Sequence, residues 1–278
     1  MTAAFELLKL RRSRRPWLAI GACLLYLVLM LFGFYTYARA EAGDQVEFRY
    51  TFENESYFNG LTFSLYGFYF GFLMVLPVFA ATEGGAQIAG ETGTRSLHLL
   101  LTRPLSRTRI FFTKFLVAAG YVWLLTGLLL GLALGTGLLA VGWGELNLYP
   151  GVLQMTERPQ SLTQDEALQR FCMAWPAASF ALLVPLALSF WFSTWMKSAV
   201  NAVGTSVSLY LVFLVISQIQ FFRELRPWLF TSDLAFWREL FQEDVDWSGA
   251  GQAAARLAAF LFVFLALGYR RFRRREEL

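Results

Sequence analysis

The side chains best suited to chemistry lie in one polar stretch, residues 91–114, which reads ETGTRSLHLLLTRPLSRTRIFFTK. Neither cysteine lies near His98, the single histidine, at a metal-ligand spacing, and the apolar runs on either side offer no paired carboxylates, nucleophile or general base. The residue types therefore favour binding to a partner over catalysis, with His98 on a solvated or partner-facing side. The same stretch holds five cations: Arg95, Arg103, Arg107, Arg109 and Lys114.

What the chain lacks excludes several function classes. No G-x-x-x-x-G-K-[ST] phosphate loop occurs, so any nucleotide hydrolysis belongs to another subunit. No acidic residue lies deep in an apolar run, which argues against a carrier coupled to protons or sodium, because such carriers need an ion site within the membrane. The net charge of +4 comes from blocks of charge between apolar runs and does not indicate a nucleic-acid partner. We predict no enzyme activity, no metal site and no cofactor in this chain.

The polar stretch is positioned by long apolar runs. With 56% hydrophobic and 16% charged residues and a mean hydropathy of +0.47, the composition is that of an integral membrane protein. Six runs reach the ~20 residues that cross the hydrocarbon core, and they lack the alternation of barrel strands. We predict one all-α polytopic membrane domain over residues 1–278. Its spans are at about 16–38, 60–82, 115–141, 173–196, 199–222 and 249–269.

The distribution of lysine and arginine predicts the orientation. Of the 24 such residues, 16 fall on the side that holds both termini and residues 83–114. By the positive-inside rule this side is cytoplasmic, so residues 83–114 form a cytoplasmic loop between the second and third spans. The 16 residues are Lys9, Arg11, Arg12, Arg14, Arg15, Arg95, Arg103, Arg107, Arg109, Lys114, Lys197, Arg270, Arg271, Arg273, Arg274 and Arg275.

The N-terminal residues 1–15 combine cations with a rough apolar stripe. This pattern favours a helix lying on the cytoplasmic membrane surface; a solvated basic tail is the alternative. An A-x-A sequence from Ala38 to Ala40 is typical of a signal-peptide cleavage site. The apolar run before it is longer than the ~7–15 residues of a signal peptide's apolar region, which favours a retained span.

Within the cytoplasmic loop, Gly93 and Pro104 bracket a segment long enough for a short helix. Ser106 suits the N-cap of a second helix that starts at Arg107 and enters the third span. A short helix with an apolar ridge and flanking cations is a candidate mechanical contact site, although the same pattern would serve to anchor the loop in the lipid headgroups. The ridge consists of Leu97, Leu100 and Leu101.

The loop resembles the E-x-G-T … L-L-x-x-P-x-S-R … K signature of type-2 ATP-binding-cassette (ABC) exporter permeases. The six spans, the N-terminal surface helix and the position of the loop are also similar to that family, so the resemblance covers the whole chain. One departure is Phe112-Thr113-Lys114, where many members have a glycine before the lysine. The matching residues are Gly90-Glu91-Thr92-Gly93-Thr94, Leu99 to Arg107, and Lys114.

The resemblance implies that the loop contains a coupling helix that docks on a separate cytoplasmic ATPase subunit, which would bind ATP and magnesium. It also implies a dimer of two permeases, identical or mixed, in the inner membrane of a prokaryote, and transport by export. The alternative is a membrane scaffold or assembly factor that an ATPase moves without passing any substrate. The coupling residues that we predict are Glu91, Gly93, Thr94, Leu97, His98, Leu100, Leu101, Arg103, Pro104 and Arg107.

Small and polar residues stand out within the spans. Glycine stripes on the second span (Gly67, Gly71) and the third (Gly127, Gly131, Gly135) predict close helix packing, within the subunit or across a dimer. A polar face on the fifth span predicts either interhelical hydrogen bonds or the lining of a substrate path. The resemblance favours a path between the second and fifth spans. The candidates are Tyr66, Tyr69 and Leu73 on the second span and Asn201, Thr205 and Ser208 on the fifth.

The outer segment 223–248 is rich in aromatic residues, which suit the outer membrane interface. The resemblance predicts a partly re-entrant lid with Trp228, Trp237 and Phe241; the alternative is an interfacial loop without a gating role. In the last span, Arg256 either extends to the outer headgroups or pairs with an outer carboxylate.

Overall fold

The structure, a computed structural model, describes residues 6, 8, 13–43, 59–93, 106–148, 153 and 159–274, with the backbone only for 37–43. The described helices provide six stretches that are long and apolar enough to cross a membrane, which confirms the all-α, six-span prediction. Their apolar stretches are Arg15–Thr36, Gly60–Gly93, Arg107–Ala140, Gln164–Trp195, Ala199–Gln218 and Trp247–Arg273.

The long helices are α1 (Arg15–Gly43), α2 (Gly60–Met74), α3 (Leu76–Gly93), α4 (Arg107–Ala140), α5 (Gln164–Trp195), α6 (Ala199–Gln218) and α8 (Trp247–Arg273). Between α6 and α8 lies an outer segment with a 3₁₀ helix at Gln220–Trp228, the short helix α7 (Phe230–Asp233) and a second 3₁₀ helix at Phe236–Phe241. Strands β1 (Leu146–Leu148) and β2 (Gln160–Leu162) form an antiparallel pair between α4 and α5, which we did not predict.

The second span is made of α2 and α3, which meet at Val75. Pro77 follows in the first turn of α3, where a missing N–H is tolerated. Our assignment of residues 83–93 to a loop is wrong in detail, because α3 continues through them to Gly93 and most of them are buried. Pro176 and Pro185 lie inside the continuous helix α5.

Helix α3 lies at the centre of the bundle, against α4, α5 and α6. Two glycines allow this. A Cβ atom at Gly84 would lie 2.5 Å from the Leu186 carbonyl oxygen, and one at Gly85 would lie 2.6 Å from Val203 Cγ2. Because hydrophobic burial drives little association between helices in lipid, such close contact supplies much of the packing energy.

Helix α2 packs against α1 and α4 through the stripe predicted on the second span. A Cβ atom at Gly71 would lie 2.8 Å from Leu129 Cδ2 and 2.9 Å from Tyr26 Cε1. The Tyr26 hydroxyl also donates a hydrogen bond to the Gly67 carbonyl oxygen, 2.9 Å away. The predicted close packing of this stripe occurs within the subunit.

The bundle has two distinct ends. At the loop end, α1 starts, α3 and α8 finish and α4 starts, and Arg107 Nη1 donates to the Arg273 carbonyl oxygen over 3.1 Å. At the hairpin end, the strand pair contacts the outer segment, where Gln160 Nε2 donates to the Phe241 carbonyl oxygen over 2.8 Å. The loop end carries the described residues of the polar stretch singled out by the sequence, 91–93 and 106–114.

Candidate functional site

The predicted coupling loop is described at its two ends. Glu91 and Gly93 close helix α3, and Arg107 opens helix α4 after the N-cap Ser106. As predicted, the Ser106 side chain caps this helix by accepting a hydrogen bond from the Arg109 amide over 3.3 Å. The remaining coupling residues lie outside the described residues, so their role stays a prediction. These are Thr94, Leu97, His98, Leu100, Leu101, Arg103 and Pro104.

The two ends of the loop are joined by a buried ion pair. Lys114, about two turns into α4, is 1% exposed, and its Nζ donates to Glu91 Oε1 over 2.7 Å. It donates equally to Glu6 Oε1, also over 2.7 Å. Glu6 and Glu91 are themselves buried. One lysine therefore links α3, α4 and the N-terminal segment.

A second buried carboxylate lies two turns before Glu91. Glu83 is 3% exposed, accepts a hydrogen bond from Gln87 Nε2, and lies 3.6 Å from Arg15 Nη1 at the start of α1. Both carboxylates of α3 thus meet a cation from another element. Charges removed from water need such partners, which explains why this polar part of α3 can be buried.

The position of Glu91 changes what its side chain can contribute. We predicted it as a contact for the ATPase, yet it faces inward and is 4% exposed. In this structure its carboxylate holds the base of the loop. Gly93 and Arg107 are exposed at the loop end, and Arg107 is held against the end of α8 by its bond to the Arg273 carbonyl.

The two halves of the predicted substrate path lie in different surroundings. On α2, Tyr69 and Leu73 border a cavity of about 600 Å³ at the hairpin end, whereas Tyr66 is half-buried nearby and does not line it. Helix α6 is fixed to α2 by the Tyr210 hydroxyl, which donates to the Leu73 carbonyl oxygen over 2.7 Å.

The polar face of α6 points away from its own bundle. Asn201, Thr205 and Ser208 are all exposed, and among the described residues none of their side chains makes a hydrogen bond to another helix. The hypothesis of hydrogen bonds between helices of one chain is therefore not supported. Contact with a second subunit or with a water-filled path would satisfy this face.

The outer segment packs its aromatic residues against α2. Trp237 is fully buried, with its ring centroid 4.7 Å from that of Phe68 and 5.5 Å from that of Phe72. Phe68 and Phe72 lie eight and twelve residues from the start of α2. The Trp237 ring therefore packs against a part of α2 that lies roughly 12–18 Å along the helix from its first residue. Phe241 is also buried, but Trp228 is 77% exposed, so the predicted lid residues do not act as one cluster.

The hairpin end contains a group of arginines that the sequence did not single out. Arg223, Arg226 and Arg238 line the 600 Å³ cavity with Tyr69 and Leu73. In the sequence they are spread through an aromatic-rich stretch, and we assigned them no role. The spacing of Arg223 and Arg226, three residues apart, was the available signal.

The comparison with known protein families decides the identity. The profile described as "ABC-2 family transporter protein" matches residues 2–225, well over half of the chain. The chain belongs to the ABC-2 transporter family. No curated protein matches it. The match includes the buried carboxylates of α3, Lys114 and the path candidates on α2 and α6.

Within this ABC-2 transporter protein, the three glycines of the third-span stripe have different surroundings. A Cβ atom at Gly127 would lie 2.8 Å from the Trp175 ring, whereas Cβ atoms at Gly131 and Gly135 would have nothing within 4 Å among the described residues. Only the first glycine therefore serves packing inside the described part of the subunit. At Gly131 and Gly135, no described residue packs against the surface of α4.

Arg256 of this ABC-2 protein pairs with a carboxylate of the outer segment. Its Nε lies 2.6 Å from Asp233 Oδ2, and its Nη2 lies 2.7 Å from Asp233 Oδ1. The sequence left this pairing open beside extension to the headgroups, and the acidic residue nearest to Arg256 in sequence is Asp246. Asp246 instead caps α8 by accepting from the amides of Ser248 and Gly249.

Proposed function

We propose that this chain is the membrane-spanning permease subunit of an ABC exporter, driven by a separate ATPase subunit that docks on the loop between α3 and α4. Membership in the ABC-2 family supports a permease role. The binding of ATP and magnesium belongs, in this proposal, to the partner.

The observation that carries the proposal is the link between Lys114 and Glu91 across the loop. A partner that pushes on the loop acts on both α3 and α4, because the two helices are fixed to each other where they enter it. Coupling requires the partner to favour one of two arrangements of the permease. A loop with a rigid base transmits such a movement to the central helix α3.

The loop end is the cytoplasmic side in this proposal. It gathers the first residues of α1 and α4 and the last residues of α3 and α8, and the flanking sequences there hold most of the lysine and arginine residues. The positive-inside rule then places both termini in the cytoplasm. The membrane is the inner membrane of a prokaryote, as for the ABC exporters that the sequence resembles.

The exposed polar face of α6 supports a dimer of two permease subunits, either a homodimer or a heterodimer. Asn201, Thr205 and Ser208 would face a second permease across a shared path, with Tyr69 and Leu73 of α2 at its outer end. Export is the direction that we propose, with the outer segment acting as the lid.

The test is to purify the tagged chain gently from its native membrane and identify what accompanies it in stoichiometric amount. A soluble subunit with a phosphate-binding loop, whose ATP hydrolysis in liposomes rises with a transported substrate, is the expected result. Absence of any such subunit from intact complexes would overturn the assignment. ATP hydrolysis that responds only to another protein would indicate a scaffold.

A further inference from the structure

A polar cavity of about 600 Å³ lies at the hairpin end, bordered by α2, the end of α6 and the outer segment. Its size falls within the ~300–1,000 Å³ of typical small-molecule sites. The α2 side contributes Tyr69 and Leu73, and the end of α6 contributes Leu214, Ser217 and Gln218.

The charge of the cavity is positive. The outer segment contributes Arg223, Arg226 and Arg238, and no acidic residue is among the described residues that line the cavity. The neighbouring Asp233 is already bound by Arg256. Three guanidinium groups around one space repel each other unless an anion lies between them. Their planar, forked donors match the oxygens of phosphate and carboxylate groups.

The cavity also has unsatisfied donors. Thr231 is 4% exposed and lines the cavity, yet its Oγ1 has no hydrogen-bond partner in the described part of the chain. The same holds for Ser232 Oγ and Arg226 Nε, which are buried at the same surface. Buried polar atoms in proteins nearly always have a partner. Two hydroxyls and a guanidinium that share this deficit indicate a ligand with several acceptor oxygens.

We propose that this cavity binds a phosphate group, held by Arg226 and Arg238 and by the Thr231 and Ser232 hydroxyls. The phosphate is carried on an anionic lipid headgroup or is free in solution, since both present the same oxygens. Leu73, Leu214 and Tyr69 supply an apolar border on the α2 and α6 side. The site would exist whether or not the chain exports a substrate, so it goes beyond the permease function.

The test uses the full chain in lipid nanodiscs and two probes. One arm titrates inorganic phosphate into nanodiscs of a galactolipid, whose headgroup has no phosphate, and follows the quenching of tryptophan fluorescence. The other arm counts phosphatidylglycerol molecules retained by the chain in native mass spectrometry, after reconstitution in an equal mixture of phosphatidylglycerol and phosphatidylcholine. Binding in the first arm indicates a free phosphate site, and retention in the second alone indicates a headgroup site.

The variants Arg226→Gln and Thr231→Val each remove donors, and the second keeps the side-chain volume. Arg170→Gln is the matched control. Arg170 lies near the start of α5, at the hairpin end, but does not line the cavity. We expect each cavity variant to weaken binding about tenfold, as expected when hydrogen bonds to a charged group are lost, and the control to bind like wild type. If Arg226→Gln prevents folding, Thr231→Val alone decides. Failure of both probes to bind wild type, or equal binding by wild type and Thr231→Val, would overturn the proposal.

Discussion

Lys114 Nζ lies 2.7 Å from Glu91 Oε1, although 23 residues separate the two in sequence. The pair closes the base of the loop between α3 and α4, and Glu6 completes it from the N-terminal segment. All three side chains are buried. The acidic and basic residues that mark the two ends of the family-like signature are therefore bound to each other.

Replacing Lys114 with methionine should destabilise the protein strongly, because it leaves Glu6 and Glu91 buried without their cation. Removing one partner of a buried pair typically costs about 3–5 kcal/mol. The measurement is the free energy of unfolding in mixed micelles, followed by circular dichroism. Adding Glu91→Gln to Lys114→Met should recover part of the loss, since it removes one of the two unpaired charges.

The matched control for this change is Lys197→Met, because Lys197 is exposed at the loop end. A surface change of this kind is expected to alter stability by about 0.5 kcal/mol or less. Equal effects of Lys114→Met and Lys197→Met would contradict the structural role of the buried pair.

Two glycines of the third-span stripe, Gly127 and Gly131, should respond differently to the same substitution. Gly127→Leu places side-chain atoms where the Trp175 ring lies, 2.8 Å from the new Cβ, and overpacking of this kind costs about 1–3 kcal/mol. Gly131→Leu meets nothing within 4 Å in the described residues and should leave monomer stability nearly unchanged. Thermal unfolding of both variants, with the oligomeric state measured by light scattering, checks this. Equal loss of stability in the two variants would contradict it.

The pair of Arg256 and Asp233 should couple α8 to the outer segment weakly. The Arg256 side chain is 45% exposed, so we expect a coupling free energy of about 0.5–1 kcal/mol despite the two short bonds. A double-mutant cycle with Arg256→Gln and Asp233→Asn measures it. Arg256→Lys should lose most of the coupling, because an ammonium group cannot make both bonds in this geometry. Additive effects of the two single changes would show that the pair contributes nothing.

The sequence was sufficient for the span count because long apolar runs have few alternatives in a membrane protein. It was insufficient for the polar half of α3. Glu83, Gln87 and Glu91 suggested a solvated loop, since nothing local shows that Arg15 and Lys114 will reach them. Partners that lie far apart in sequence are a product of packing.

In the candidate site, too, local patterns were predictable from the sequence and contacts between distant residues were not. The Ser106 cap is a local pattern and was predicted correctly, because its partner amide lies three residues away. The cavity with Arg223, Arg226 and Arg238 was missed, since it depends on how the outer segment folds back onto α2 and α6. Likewise, Gly127 and Gly131 look equivalent in sequence, and only the position of Trp175 distinguishes them.

Glu239, in the outer segment, should make stability depend on pH. Burial raises the pKa of its carboxyl group, with Asp246 and Asp233 adding to the effect and the nearby Arg238 opposing it. The folded state therefore binds the proton more tightly than the unfolded state, so the stabilising contribution is complete below the ordinary glutamate pKa and is lost as the pH rises through the raised value.

The variant Glu239→Gln removes this titration. We expect its unfolding midpoint to exceed that of wild type by a margin that grows as the pH rises above the ordinary glutamate pKa and through the raised one. Comparing the two proteins across this range by thermal unfolding cancels the titration of other groups. A constant difference between them would show that Glu239 has an ordinary pKa.

Replacing Leu100 and Leu101 with aspartate should uncouple the permease from its ATPase without unfolding the bundle. The two leucines belong to the apolar ridge predicted for the coupling helix, and a charge on that ridge disfavours docking in an apolar cleft because the charge would have to be desolvated. The expected result is unchanged thermal stability, with at least a tenfold loss of substrate-stimulated ATP hydrolysis. A tenfold loss corresponds to about 1.4 kcal/mol of coupling free energy between permease and ATPase. Arg109→Asn, an exposed change at the start of α4, is the control and should leave coupling intact. Retention of assembly and of stimulated hydrolysis in the double-aspartate variant would refute the coupling role of this loop, whereas loss of stability would point instead to a part in anchoring the loop to the bundle.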